Sequence, residues 1–185
     1  MDNGANSYRR FLSGDDNGLA EIVGAYKDGL ILFLNGYTGS ISAAEELAEE
    51  TFFRLMIKKP GYSGKSSFKS WLYAIGRHIA CDFLRKRSGT ADEPVEDMAA
   101  VLADEADLER SYIRSEDRIT LHAALKRLPG EYRRVLWLIY FEDFSNAEAG
   151  VTLGKNSRQI RNLLYRAKQS LKTELEKEGF EYEDY

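Results

Sequence analysis

The sequence is poor in the residues that staple a chain, hold metals or break helices. Cys81 is its one cysteine, so no disulfide can form within the chain, and a reducing cytoplasm is the natural compartment. The three prolines stand at 60, 94 and 129, which leaves long intervals open to helix. The two histidines, His78 and His122, are far apart. Neither sits in a spacing such as HExxH or CxxC, so no metal site is predicted, and no cofactor or catalytic constellation is either. No glycine-rich phosphate loop occurs, and Gly36 and Gly39 read as turn residues. A run of about 18 apolar residues is missing, which excludes a membrane-spanning helix and membrane insertion. The opening MDNGANSYRR has no apolar stretch to serve as a secretion signal. Alternating strand patterns and Asn-Gly hairpin signals are absent as well.

What remains is helical in pattern. The fold class it predicts is all-α: two small helical domains over 1–88 and 116–185, joined by an acidic linker over 89–115. In the first half, a helix is expected over 17–35, carrying Leu19, Ile22, Val23, Tyr26, Leu30, Phe33 and Leu34. NGYTGS is expected to break it. Ser42 with Glu45 reads as a capping box that opens a second helix, ending near Ile57. KKPGYSGKSS is a loop. A third helix over 67–87 has Phe68, Trp71, Leu72, Ile75, Ile79 and Phe83 as its buried stripe. The helical period places Lys69, Tyr73, Arg77 and Ala80 on the opposite face. His78 and Asp82, four apart, read as a hydrogen-bonded pair on the helix surface.

Residues 88–115 are acidic, rich in small side chains and nearly free of aromatics, a composition that cannot bury enough apolar surface to order itself. Beyond them Ile119, Leu121, Ala124, Leu125 and Leu128 lead to a Pro129-Gly130 turn and a strongly apolar helix, EYRRVLWLIYFE. Ser145 with Glu148 forms a second capping box, opening a short helix through Leu153. Gly154 suits the left-handed conformation that ends it, and Asn156 or Ser157 caps the next.

Short capped helix, glycine turn and second amphipathic helix make the grammar of a helix-turn-helix. The chain carries a net charge of −4, yet from Ala149 to Thr173 it has no acid at all and six cations. On the last helix Ile160, Leu163, Leu164, Ala167 and Leu171 share one face. Arg158, Arg161, Asn162, Tyr165, Gln169 and Lys172 lie on the other. Such a division suits a helix that packs on one side and enters the major groove on the other, where Arg, Asn and Gln pair with base edges. The bland alternative is a solvated amphipathic helix. On the third helix and the loop before it, Lys65, Ser66, Ser67, Lys69, Trp71, Tyr73 and Arg77 combine cations with rings, as single-strand binding requires. For Trp71 a core role is the simpler reading. Glu45, Glu46, Glu49 and Glu50 form either a solvated face or a dock for a basic partner, and composition alone favours the first.

Two blocks, AEELAEETFFRLMIKKPGYSGKSSFKSWLYAIGRHIACDFLRKR and ALKRLPGEYRRVLWLIYFEDFSNAEAGVTLGKNSRQIRNLLYRAKQSLK, resemble regions 2 and 4 of bacterial RNA polymerase sigma factors of the extracytoplasmic-function (ECF) group. Their order, their spacing and the acidic segment between them also fit. The resemblance implies a cytoplasmic, non-enzymatic initiation factor with core RNA polymerase and promoter DNA as partners, and it admits an anti-sigma protein. It implies docking on the polymerase clamp coiled coil through Glu45, Glu46, Leu47, Glu49, Glu50 and Phe53. It implies capture of the −10 element by Arg54, Tyr62, Lys65, Ser66, Ser67, Lys69, Arg77 and His78, and contact with the −35 duplex by Arg158, Gln159, Arg161, Asn162, Tyr165 and Arg166. Leu163 stands where the family frequently has Arg, and His78 where relatives often carry Asn. A stand-alone helix-turn-helix regulator and a helical scaffold protein are the competing readings. The first would bind duplex DNA without polymerase, and the second would bind neither.

Overall fold

The computed structural model describes residues 3–89, 121 and 123–177. Almost all of the predicted linker and His122 lie outside the described residues. The chain forms α1 (Asn3–Leu12), α2 (Asn17–Thr38), α3 (Ile41–Lys58), α4 (Phe68–Ser88), α5 (Gly130–Tyr140), α6 (Asn146–Leu153) and α7 (Ser157–Lys177). Residues 123–126 are also helical, and no strand occurs among the described residues. None of these helices is long and apolar enough to cross a membrane.

The long helix α2 is the post on which the others lean. Leu30, Ile31, Phe33 and Leu34 have no exposed surface, because α1, α3, α4 and α5 all pack against it. The sequence pattern missed α1, whose apolar residues are few and whose start has no capping signal. It is held by Tyr8 and Phe11, one helical turn apart. Tyr8 sits among the rings of Phe11, Phe68 and Trp71 and donates its hydroxyl to the Pro60 carbonyl at 2.8 Å. Burial pushes that hydroxyl up to about 12, so it stays protonated and a donor at neutral pH.

Two helix boundaries differ from expectation. The NGYTGS stretch does not break α2 at its start. Asn35, Gly36, Tyr37 and Thr38 are buried in the last turn, and Gly39, with φ of 67°, ends the helix. Ser40 rather than Ser42 then caps α3, accepting from the Ala43 amide at 3.3 Å. Ser42 lies inside the helix. The reason is Ile41, which is 1% exposed: seating its side chain in the core requires the helix to begin there, directly after the glycine. Ser67 caps α4 by accepting from the Ser70 amide. Asp82, expected to pair with His78, is bonded to Arg85 instead.

The two halves share one apolar interior. The α4 face assigned to solvent or ligand is the one that closes it. Tyr73 and Ala80 are fully buried, correcting their placement on an open face. Tyr73 packs between Phe33 and Phe144, and α6 lies along α4, with the Thr152 hydroxyl donating to the Ser70 carbonyl at 3.2 Å. On the other flank Arg134 of α5 is 2% exposed. It donates to the Gly36 carbonyl at 3.0 Å and lies 4.0 Å from the centre of the Tyr37 ring. Its Nε finds no acceptor.

Phe68 joins the rings of Tyr8, Tyr26, Tyr62 and Trp71 and has no exposed surface. Its replacement by alanine leaves a cavity among four rigid neighbours that cannot close it. Phe68→Ala should lower stability by about 3–5 kcal/mol, measured as a shift of the urea midpoint at unchanged slope.

Candidate nucleic-acid interface

The site on the second half is built from its caps upward. Ser145 opens α6 with a complete capping box. Its Oγ accepts from the Glu148 amide at 3.2 Å, and the Glu148 carboxylate accepts from the Ser145 amide at 2.9 Å. That backbone bond comes first among the causes that hold the Glu148 carboxyl below its usual value. Gly154 ends the helix with φ of 67°. Asn156 and Gln159 then exchange side-chain bonds with each other's amides, at 2.8 and 2.9 Å, opening α7 as a second reciprocal cap. The turn between them passes close over α6. A Cβ on Gly150 would stand 2.5 Å from the Lys155 carbonyl oxygen, so only glycine admits that approach. Lys155 is tied to Glu131 of α5 at 2.9 Å.

These locks fix the rotation of α7. Ile160, Leu163 and Ala167 face inward and are buried. Arg158, Gln159, Arg161, Asn162, Tyr165 and Arg166 all face outward and are exposed. Tyr165 is the most open of the large apolar-bodied side chains, at 67%. Every residue expected to touch duplex DNA therefore lies on one uncovered, acid-free surface. Its cations are fixed by the helix while their tips stay free in solvent.

The residues expected to capture a single strand are placed differently. Lys65 and His78 are exposed, and Arg54, Tyr62, Ser66, Ser67, Lys69 and Arg77 are partly buried. Tyr62 packs edge-on to Phe68 and tilted against Trp71, and its hydroxyl donates to the Ser66 carbonyl, which braces the loop. Arg54 pairs with Glu50 at 3.3 Å. Lys69 is engaged by the other half: its Nζ lies 2.7 Å from a Glu142 carboxylate oxygen and donates to the Glu142 carbonyl at 2.9 Å. The Arg77 guanidinium lies against the turn at Gly154. No pattern in the sequence pointed to Glu142, whose partners are more than sixty residues away.

On α3, Glu46, Glu49, Glu50 and Phe53 are exposed, Glu45 is half-buried and Leu47 is buried at 6%. Phe53, Met56 and Ile57 extend this surface as an apolar strip. Beside it, between α2 and α3, runs a shallow groove of about 300 Å³ lined by Leu19, Val23, Lys27, Ala48, Glu49, Phe52, Phe53 and Met56.

Comparison with known proteins matches two separate stretches of the chain to one family. Residues 22–90 match the family "Sigma-70 region 2" and residues 118–171 match "Sigma-70, region 4". The ECF RNA polymerase sigma factor SigW of Bacillus subtilis is 26% identical over 172 residues, spanning 88% of this chain and 91% of that protein. SigE of Mycolicibacterium smegmatis, another ECF sigma factor, is 31% identical over 162 residues, spanning 87% of this chain and 63% of that protein. Among solved structures, the sigma factor RpoE in complex with the anti-sigma factor NepR from Bartonella quintana superimposes with a TM-score of 0.64 at 22% identity. The match covers 85% of this chain and 96% of that one. CnrH, in complex with the cytosolic domain of CnrY, gives 0.65 at 18% identity over 94% and 95%. At these identities the two structures speak to the fold.

The caps yield two expected outcomes. Gly150→Ala pushes a methyl group onto backbone that has no room to yield, and should cost about 1–3 kcal/mol in thermal or urea unfolding. Ser145→Ala should cost about 1 kcal/mol. Folding lowers the Glu148 pKa, so its stabilisation is fully present above the unfolded carboxylate value of about 4.3. It is lost as pH falls through the lower folded value. Glu148→Gln should therefore flatten the acid side of the stability–pH curve.

Proposed function

The chain belongs to the ECF group of bacterial RNA polymerase sigma factors, and on that premise we propose which of its surfaces serve each step of initiation. A factor of this group joins core RNA polymerase and directs it to particular promoters. We place duplex recognition at the −35 element on the outer face of α7. Arg158, Gln159, Arg161 and Asn162 lie on its first two turns, the part of a recognition helix that reaches base edges. Tyr165 and Arg166 follow along the same face. The observation that carries this reading is the outward row of cations on a helix whose rotation is fixed by Gly150 and two reciprocal caps. Absence of acid there avoids repulsion from phosphates, and each phosphate neutralised steepens the salt dependence by about 0.9 in the log–log slope.

Capture of the −10 strand belongs to α4 and its preceding loop, through Arg54, Tyr62, Lys65, Ser66, Ser67, Lys69, Arg77 and His78. The braced ring of Tyr62 and the cations around it suit a base turned out of the stack, whose unstacking cost of a few kcal/mol must be offset by the pocket. Docking on the polymerase clamp belongs to α3. Glu46, Glu49 and Glu50 offer charge, with Glu45 beside them, and Phe53 supplies an exposed apolar anchor. Leu47 supports that surface from within. Residues 1–88 and 116–185 act as the two promoter-reading units, with the acidic 89–115 segment between them suited to a basic channel. An anti-sigma protein completes the partner set, by likeness to RpoE, solved in complex with the anti-sigma factor NepR. A reducing cytoplasm is the compartment this work implies.

Holoenzyme reconstituted from core polymerase and this chain, with its transcripts mapped on genomic DNA, should start at a defined promoter set. Initiation no different from core alone would refute the reading. On a promoter so found, Arg161→Ala should weaken −35 duplex binding by about 1–3 kcal/mol and relax preference at one position. Glu46→Lys with Glu50→Lys should lower affinity for core polymerase at least about tenfold, read by co-purification and titration, without changing duplex affinity.

A further inference from the structure

We propose that Glu142 is a clasp that closes the second half over the strand-capturing face of α4, and that this clasp competes with DNA for Lys69. Glu142 stands just beyond α5 and is 9% exposed. Its carboxylate takes Lys69 at 2.7 Å and the Tyr73 hydroxyl at 2.8 Å, and its carbonyl accepts from the same Lys69. The Lys69 ammonium also lies over the rings of Tyr73 and Phe144. One carboxylate oxygen, one carbonyl and both rings are therefore engaged by this cation, and a phosphate must compete with them for it. Burial and the Glu142 carboxylate keep the Tyr73 hydroxyl well above its ordinary value, so it stays a donor to the clasp.

Two further features look built for the clasp. The carboxylate sits against Gly29 of α2. A Cβ there would collide with Glu142 Oε1 and stand 2.6 Å from the Tyr73 hydroxyl. The missing side chain is thus the seat of the carboxylate. Next, Asp143 adopts φ of +56°, a conformation unfavourable for a residue with a Cβ. That turn delivers Glu142 and Phe144 to α4 together, and opening can release it. Closure is selective. It occupies Lys69 and lays the Gly154 turn on Arg77, while the outer face of α7 stays fully exposed. The closed chain therefore leaves its duplex-facing surface open while holding two cations of the strand-capturing face.

The clasp itself rests on geometry alone; its effect on DNA rests on the −10 role proposed for Lys69. The test separates the two. In the full chain with Cys81→Ala, dyes on Ser42→Cys and Thr173→Cys report the spacing of the halves by energy transfer. A pool of random-sequence 20-nucleotide single strands reports strand affinity. Glu142→Gln should lower transfer and raise single-strand affinity several-fold. Gly29→Ala should do the same from the other side, without altering Lys69 or Glu142. Alanine favours helix at that position, so a loss of α2 would not explain its effect. Lys69→Glu combined with Glu142→Lys should restore transfer to the original value. Unchanged transfer in both single variants, with helical content intact, would overturn the clasp. Opening without a gain in strand affinity would uphold the clasp and remove Lys69 from the −10 site.

Discussion

The architecture depends on α4 burying two opposite faces at once. One face carries Phe68, Leu72 and Ile79 into the interior made with α2 and α3. The other carries Tyr73, wedged between Phe33 of α2 and Phe144 of the second half, and Ser70, whose carbonyl meets Thr152 of α6. A helix buried on both sides is usually apolar all round. This one is not: its second face mixes Lys69, Tyr73 and Arg77, whose polar ends must be answered wherever water is excluded. Glu142, Thr152 and the turn at Gly154 give those answers. The junction between the halves is consequently a fitted polar contact laid beside an apolar seam. The polar part of this junction is of the kind found between domains, while its apolar part is continuous with the shared interior.

The parts of this arrangement written in local chemistry were legible from the sequence. Ser145 and Glu148 announced α6, Gly154 announced the turn, and Asn156 announced α7, because a cap and its acceptor lie three residues apart. The two-sided character of α7 followed from period alone. Parts that depend on distant partners were not legible. Ser42 with Glu45 matched the capping pattern, yet Ser40 is the cap and Ile41 is buried directly after it. Tyr73 fell on the face opposite the apolar stripe, so period assigned it to the outside; Phe33 and Phe144 put it inside. Glu142 gave no local sign at all. The position of the acid on α3 was visible, but its worth as a docking surface rested on family likeness.

Leu163 shows how family likeness and packing can be reconciled. It stands where relatives frequently carry Arg on the recognition helix. Here it is 8% exposed, between Ile160 and Ala167 on the inward face. A cation at this position would have to leave water or twist the helix on its caps. The missing arginine is therefore part of how α7 seats on α5 and α6. The cations on the outer face are Arg158, Arg161 and Arg166 instead.

Arg134 carries a consequence of another kind. Its guanidinium is nearly out of water, held by one carbonyl and one ring, with no carboxylate among the described residues to neutralise it. The penalty for stripping water from an ion shrinks as temperature rises, while apolar attraction per unit area levels off. Contact between α5 and the end of α2 thus grows relatively firmer with warming, and cooling favours its hydration. The junction is in this sense sensitive to temperature through the hydration of a single buried cation.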